Sequence, residues 1–518
     1  MADITGFGRI LLRKSVAQIQ ADNNHGELKR SLGALNLVLL GIGCVIGAGI
    51  FVLTGRAAAE FAGPAIVISF VITGTLCALV ALCYAELAAA LPVSGSAYSY
   101  TYTSIGEGGA WVMGLLLVLE YGLSASTVAV SWSGYFVSFL ADMHIVIPPA
   151  LTAAPGVVVR DAAGGVIGTG VMNLPAIVVI GLVTMLLVRG VSESAAVNNI
   201  IVATKVTIVI AFIVIGSHYI RPSLYSPFIP AEIPARPPGT PMDIWSQIGR
   251  ALFGVMTGDN STKYGVGGVI HGAAIIFFAY LGFEAVSTAG AEARNPGRDM
   301  PIGILGALVI CTVLYMATSA VLVGIVPYQS LDNPAPIALA VNQIGLPWFS
   351  AFVKIGAIAG LSSVMLVLLY GQTRVFYTMS RDGLLPSSLA TVHPKFKTPW
   401  INTIIVGVAA MGAAGFMSLD ALSDLSNVGS LAAFTMVCVT VIYLRRSDPT
   451  LIRPFRTPLF PVTPILGAAM CLVLLFSLMA TPATRNFFLI YLVIGVAIYF
   501  TYGIHKSKLA RAVASPVE

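Results

Sequence analysis

Long runs of apolar residues dominate the chain, separated by short segments that collect most of its charge. The runs are roughly 20 residues each, the length that carries a helix across a hydrocarbon core of about 30 Å. Inside lipid a backbone must satisfy its own hydrogen bonds, and the period-2 alternation of barrel strands is absent. The pattern therefore predicts an all-α integral membrane protein. Twelve transmembrane spans are expected, near 33–56, 64–91, 110–141, 173–189, 198–219, 268–291, 301–326, 348–379, 400–418, 424–444, 459–480 and 486–505. The fourth and ninth are the shortest, and the third and eighth are long enough to tilt.

Composition agrees with this picture. Of 518 residues, 57% are hydrophobic and 10% charged, against about 25% charged in a soluble protein. The basic residues sort by loop. An even number of spans puts both termini on one side. That side then holds 19 of the 28 Lys and Arg residues and the other holds 7, four of them in the long loop 220–267. The excess marks the terminal side as cytoplasmic. The +6 net charge thus needs no nucleic-acid partner. Cys44, Cys77, Cys83, Cys311, Cys438 and Cys471 all fall in apolar runs and read as small buried side chains, with no disulfide and no metal site. The first 32 residues are polar and basic, so no cleavable signal peptide is expected. The Pro-rich stretch "RPSLYSPFIPAEIPARPPGTP" reads as an external cap. No Walker motif and no nucleophile–base or metal cluster is present, so neither an ATP-driven machine nor an enzyme is expected, and no cofactor.

Two spans look interrupted. "GIGCVIGAGIF" (41–51) carries four glycines, denser than helix packing needs, and "FFAYLGFEAVSTAG" (277–290) places Gly282 beside Glu284 at membrane depth. The breaks lie five spans apart. Because five is odd, the second half would be inverted, as in transporters built from inverted repeats. The expected organisation is a terminal segment 1–32, a first repeat 33–219, the external loop 220–267, a second repeat 268–444, two further spans within 445–505 and a tail 506–518. Each break frees N–H groups at one half-helix start and C=O groups at the other half-helix end. The former favour a carboxylate and the latter an ammonium. Two such breaks side by side describe a site for the backbone of an α-amino acid.

Ionisable residues at membrane depth are costly and few. Lys205, in "NNIIVATKVTIVIAF", either snorkels to the interface or is a buried amine whose charge changes during a working cycle. Glu120 is either a hydrogen-bonded structural carboxyl or part of a substrate or proton route. Glu284 could cap the half-helix that follows its break. For Lys354 snorkelling is expected, and for Glu86 a gating or structural role.

The stretches "GIGCVIGAGIFVLTG", "YAELAAALPVSGSAYSYTY", "LEYGLSASTVAVSWSGYF", "FFAYLGFEAVSTAGAEARNPGRDMPIGI" and "YGQTRVFYTMSRDGLLP", in this order, closely resemble the amino acid–polyamine–organocation superfamily. The chain is similar to the bacterial form of its cationic amino acid transporter branch, over about residues 27–505. The resemblance implies a LeuT-type five-plus-five inverted-repeat core in spans 1–10, with helices 1 and 6 broken and spans 11 and 12 outside it. It implies a substrate carboxylate on the N–H groups of Ala48, Gly49 and Ile50, after Gly47. The α-ammonium would meet carbonyls of Val45, Ile46, Phe278, Ala279 and Leu281. Lys205 aligns with a lysine that replaces a sodium ion in proton-driven relatives. Glu120 and Glu284 align with acidic positions lining or bordering the pocket. Relatives often carry Glu-Glu ahead of the "NP" where this chain has Ala291-Glu292.

Val364, Met365 and Leu368 are expected to face the side-chain pocket; they are apolar, so a small neutral amino acid such as alanine is at least as well suited as arginine or lysine. The expected function is proton-coupled import of L-amino acids by alternating access across the plasma membrane, spans 1, 2, 6 and 7 rocking against 3, 4, 8 and 9. Sodium-coupled or uncoupled exchange, and a non-transporting sensor or channel, are the alternatives. The expected partners are the amino acid, protons and membrane lipid; nothing in the sequence specifies an accessory subunit.

Overall fold

The computed structural model describes residues 7–15, 18, 31–93, 95–160, 165–190, 195–233 and 263–514. Most of the external loop, with Arg236 and Arg250, lies outside the described residues. Nine helical stretches among the described residues are long and apolar enough to cross a bilayer: Gly49–Ala90, Glu107–Asp142, Asn199–Ser217, Gly265–Glu292, Pro296–Ile325, Pro347–Arg381, Leu419–Ser447, Val462–Met479 and Pro482–Ala512. Three shorter apolar helices accompany them: α1 (Ala34–Val45), Leu174–Arg189 and Trp400–Phe416.

The stretch Gly49–Ala90 has 42 residues. Straight, it would run about 63 Å, twice the hydrocarbon core. It turns instead at Gly63 (φ +59°) and continues as α2 (Ile66–Ala90). Most of the loop expected at 57–63 is therefore helical, a wide π turn at Ala58–Ala62, with Gly63 (ψ −145°) outside helical geometry at the start of a 3₁₀ turn to Ala65. A short polar helix, α3 (Ser96–Ser104), leads into α4 (Glu107–Val118), which passes through a π turn at Leu119–Leu123 into α5 (Ser124–Asp142).

Next comes a small antiparallel hairpin, β1 (Val158–Arg160) with β2 (Val166–Thr169), an addition to the expected all-helical chain. Strands of three and four residues are too short to register in hydropathy. Then follow α6 (Leu174–Arg189), α7 (Ala195–Ser217), α8 (Gly265–Ile276), α9 (Pro296–Ile325), α10 (Pro336–Gln343), α11 (Pro347–Arg381), α12 (Trp400–Phe416), α13 (Leu419–Ser447), α14 (Val462–Met479), α15 (Pro482–Ile498) and α16 (Lys508–Ala514). The starts follow local chemistry. Proline occupies the first turn of α9, α10, α11 and α15, where a missing N–H costs nothing. The side chains of Asn173 and Ser418 accept from Ala176 N and Ala421 N, capping α6 and α13.

The helices sort into two packed groups. In one, α9 lies against α1 and α2, and α8 against α2; in the other, α5 packs on α11, α6 on α12, and α5 on α6. Helix α13 joins them, contacting α2 and α5, and packs along α14. The outer faces expose aliphatic residues such as Leu182, Val309, Ile355, Val408 and Val493, the inverse of a soluble surface and suited to lipid. Many polar side chains within the long helices point inward. Lys354, expected to snorkel, is buried and pairs with Asp142 Oδ2 at 2.6 Å. Glu86 is also buried, held by Arg445 at 2.6 Å and by Thr457 N at 2.7 Å. All six cysteines are buried and free.

Candidate functional site

Two breaks cross at the centre of the molecule. Helix α1 ends at Val45; Ile46 is extended (φ −71°, ψ 98°), and helical geometry resumes at Ala48. The new half-helix opens with a π turn at Gly49–Leu53, in which Thr54 Oγ1 donates to Gly49 O at 3.0 Å. The first N–H groups of this half-helix, at Ala48, Gly49 and Ile50, have no preceding turn to bond. Opposite, α8 gives way to a 3₁₀ turn at Phe277–Tyr280. The chain is extended at Leu281 (ψ 135°), passes Gly282 at φ +114°, and restarts as a 3₁₀ helix over Glu284–Glu292.

Glycine is required at two points of this crossing. A Cβ on Gly49 would fall on the backbone of Ala279, and one on Gly282 would sit 2.8 Å from the Cys44 carbonyl carbon. The two unwound strands therefore touch main chain to main chain. Each is fixed by side chains from neighbouring helices. Tyr315 donates to Val45 O at 2.8 Å and Tyr135 to Phe51 O at 2.8 Å. Asn427 Nδ2 donates to Ala274 O and Ile275 O at 3.0 and 3.2 Å, the carbonyls released where α8 tightens. Glu284 Oε2 accepts from Gly282 N at 2.8 Å, the helix-capping role considered for it.

Lys205 does not reach the interface. Its Nζ donates to Gly43 O at 2.9 Å and it is 1% exposed. The ammonium thus satisfies one of the last carbonyls of α1, where the helix dipole is negative. The methylene stem lies against Gly360, where a Cβ would meet Lys205 Cε at 2.9 Å. Glu120, on the π turn between α4 and α5, faces Glu284 in the core. Among the described residues the Tyr84 hydroxyl has no hydrogen-bond partner, the Glu120 carboxyl has only Glu284 beside it, and the Tyr100 hydroxyl only Ser287. Buried polar groups are seldom left so, and ordered water is the usual partner.

A cavity sits at the crossing, lined by Cys44, Val45, Gly47, Ala48, Gly49, Ser124, Val128, Phe278, Leu281, Val364 and Leu368. Its free space is close to that of one water molecule. Of the residues expected there, Val45, Gly47, Ala48, Gly49, Phe278, Leu281, Val364 and Leu368 form its wall. Ile46, Ile50, Ala279 and Met365 are buried next to it without lining it. Glu120, Glu284 and Lys205 lie behind the breaks. Sequence reasoning missed Cys44, Ser124 and Val128 as wall residues, and the tyrosine and asparagine clamps. Only Cys44 carried a signal, since it lies inside the first glycine cluster.

Ion pairs stand on two sides of the crossing. Arg56, about two turns past the first break, bonds Asp420 Oδ1 at 2.9 Å and Glu60 Oε2 at 3.2 Å. On the other side Asp382, after α11, takes Lys14 Nζ at 2.6 Å and the Tyr98 hydroxyl at 2.9 Å.

Comparison with known proteins places this arrangement. The amino acid permease family matches residues 32–499. The methylthioribose transporter of Bacillus subtilis (strain 168) is 44% identical, over 96% of this chain and 99% of its own. The branched-chain amino acid permease BcaP of the same organism is 43% identical, over 97% and 99%. The vacuolar cationic amino acid transporter 4 of Arabidopsis thaliana is 36% identical, over 85% and 68%. A match over nine-tenths of the chain, on a helical membrane scaffold with no enzyme among these relatives, identifies this chain as a multi-pass transporter of the amino acid permease family, in the amino acid–polyamine–organocation superfamily.

Proposed function

We propose that the chain is a secondary active importer of small aliphatic L-amino acids, working by alternating access in the cell membrane with both termini cytoplasmic. The observation that carries this reading is the crossing itself. Free N–H groups at 48–50 and the carbonyls of Ile46, Phe278, Ala279 and Leu281 lie in or next to the wall of one largely apolar cavity. Main chain recognises the zwitterion, and Val128, Val364, Leu368 and Phe278 receive the side chain. Among the described residues no carboxylate lines that wall, which disfavours a cationic side chain.

On this reading the nine long stretches and three short helices make twelve spans, since Gly49–Ala90 contributes to two of them and α1 completes the first. The two packed groups support a five-plus-five repeat: spans 2 and 7, 3 and 8, and 4 and 9 pair with one another. The domain division at 33–219, 268–444 and 445–505 follows the same logic. Transport then rocks the α1–α2–α8–α9 group against the α5–α6–α11–α12 group.

Protons are the proposed coupling ion. Lys205 fills, with its ammonium, a position at the end of α1 that a cation would otherwise occupy. Glu120 and Glu284, which face each other in the core, are the proposed second proton site. Uptake into proteoliposomes under imposed pH or sodium gradients tests the coupling. Accumulation with sodium alone, unaffected by pH, would replace this reading with sodium coupling.

A second reading has one observation behind it: the 44% identical relative is named for methylthioribose, a neutral thio-sugar. Competition between alanine, valine, leucine, arginine and methylthioribose separates the two.

A further inference from the structure

The segment between α13 and α14, residues 448–461, is short, pinned and oddly dressed. It is pinned from inside by Glu86 of α2. That carboxylate takes Arg445 at 2.6 Å, Arg453 at 3.4 Å and Thr457 N at 2.7 Å. Thr457 Oγ1 also donates to Leu82 O at 3.1 Å, and the Arg445 guanidinium lies over the Phe460 ring at 4.2 Å. Arg453 further donates to Leu444 O and Asp448 O. A segment fixed this firmly can hide its apolar side chains, yet Ile452 is 82% exposed and Leu459 79%, with Val462 at 60% on the first turn of α14. Ile452 and Leu459 are among the three most exposed large hydrophobic residues described in the molecule.

Beside them stand Arg446 and Arg456, both exposed, with no side-chain hydrogen bond or ion pair among the described residues. Four guanidiniums here (Arg445, Arg446, Arg453, Arg456) face two carboxylates (Glu86, Asp448). Pro454 abuts Gly297 at the start of α9, bringing the exposed Arg298 alongside. Both flanking helices are membrane spans, so the segment sits where acyl chains meet headgroups. Exposed aliphatic residues next to unpaired arginines at that depth fit an anionic lipid surface, the aliphatics entering the acyl boundary and the guanidiniums meeting phosphate.

We propose that residues 446–462 form a binding surface for anionic phospholipid headgroups. Its footing on Glu86 ties lipid occupancy to α2, a helix of the group that carries both breaks.

The test uses the purified full-length chain in neutral detergent, with phosphatidylglycerol or phosphatidylcholine of matched acyl chains added. Native mass spectrometry reads lipid retention, and Tm is followed in parallel. Phosphatidylglycerol should be retained and should raise Tm, whereas phosphatidylcholine and inorganic phosphate should do neither. Arg446→Gln/Arg456→Gln should weaken phosphatidylglycerol retention about 25-fold, at about fivefold for each charge, with lipid-free Tm unchanged. Arg446→Lys/Arg456→Lys, which keeps the charge, should restore retention and also controls for misfolding. Ile452→Ser/Leu459→Ser should weaken it as well. Equal retention by the wild-type chain and the Gln pair would overturn the proposal. So would a dimer of the wild-type chain that disappears in the Gln pair, which would make this face a contact between copies. Because lipid retention is read without transport, the outcome is independent of which substrate the permease carries.

Discussion

The Lys205 ammonium is bonded to the Gly43 carbonyl at 2.9 Å, tying α7 to the last turn of α1 just before the first break. A charged hydrogen bond of this kind contributes about 1.5–3 kcal/mol. Removing its proton turns the ammonium into a neutral amine and weakens the bond. Lys205→Ala should abolish uptake driven by a pH gradient and flatten its pH dependence. Proteoliposome uptake across pH checks this, and a Lys205→Ala profile that overlays the wild-type one would exclude Lys205 from coupling.

Gly282 takes φ +114° with the Cys44 backbone against it. Alanine there meets a strained dihedral and a main-chain clash together. Gly282→Ala should lower stability by more than about 1 kcal/mol and separate the two strands. Thermal unfolding reads the first effect, and loss of ligand-induced stabilisation reads the second.

Glu284 caps its own half-helix through Gly282 N while facing Glu120. Glu284→Gln keeps an oxygen for the cap but removes the ionisable group. Substrate counterflow should persist while proton-driven accumulation falls at least tenfold, roughly the 1.4 kcal/mol of one decade. Glu284→Ala should in addition lower Tm.

Val364 stands against Gly47, where a Cβ would approach its methyl groups at 3.4 Å. Val364→Phe should fill the cavity and raise KM for branched substrates more than for alanine or glycine. An unchanged KM series would remove the α11 wall from the side-chain subsite.

The Arg56–Asp420 pair joins the first span to α13; Asp420 is more than half exposed, but Arg56 is buried and also holds Glu60. Arg56→Gln leaves those carboxylates without their cation, so it should lower Tm and also change access to the cavity. Cys44, in the cavity wall, offers a native reporter. An impermeant maleimide added from the Arg56 side should label it faster in Arg56→Gln than in the wild-type chain.

Much of this centre was legible from residue order. Four glycines in eleven residues, and a glycine beside a glutamate five spans on, located both breaks, because unwinding needs glycine locally. Lys205 and Glu120 stood out because charge at membrane depth is rare. What stayed hidden depends on pairing across distance. Lys354 looks like a snorkelling residue until α5 brings Asp142 to it, and Tyr315, Tyr135 and Asn427 carry no mark of the carbonyls they hold. The corner between the first two spans falls within the gap expected at 57–63, but helix filling most of that gap was not legible, because Arg56 and Glu60 there read as loop charge until Asp420 pairs with Arg56. The hairpin at 158–169 was invisible because its strands are shorter than any period.

The corner at Gly63 has a mechanical meaning. A long flexible loop would let the second half of the first span tilt on its own. Here one non-helical residue, Gly63 (φ +59°, ψ −145°), joins the π turn at Ala58–Ala62 to the 3₁₀ turn that opens α2, so the joint works like the elbow of a bell crank with little slack. Near the far end of the second arm stands Glu86, on its Arg445 pair, within mechanical reach of a displacement that begins at Gly49.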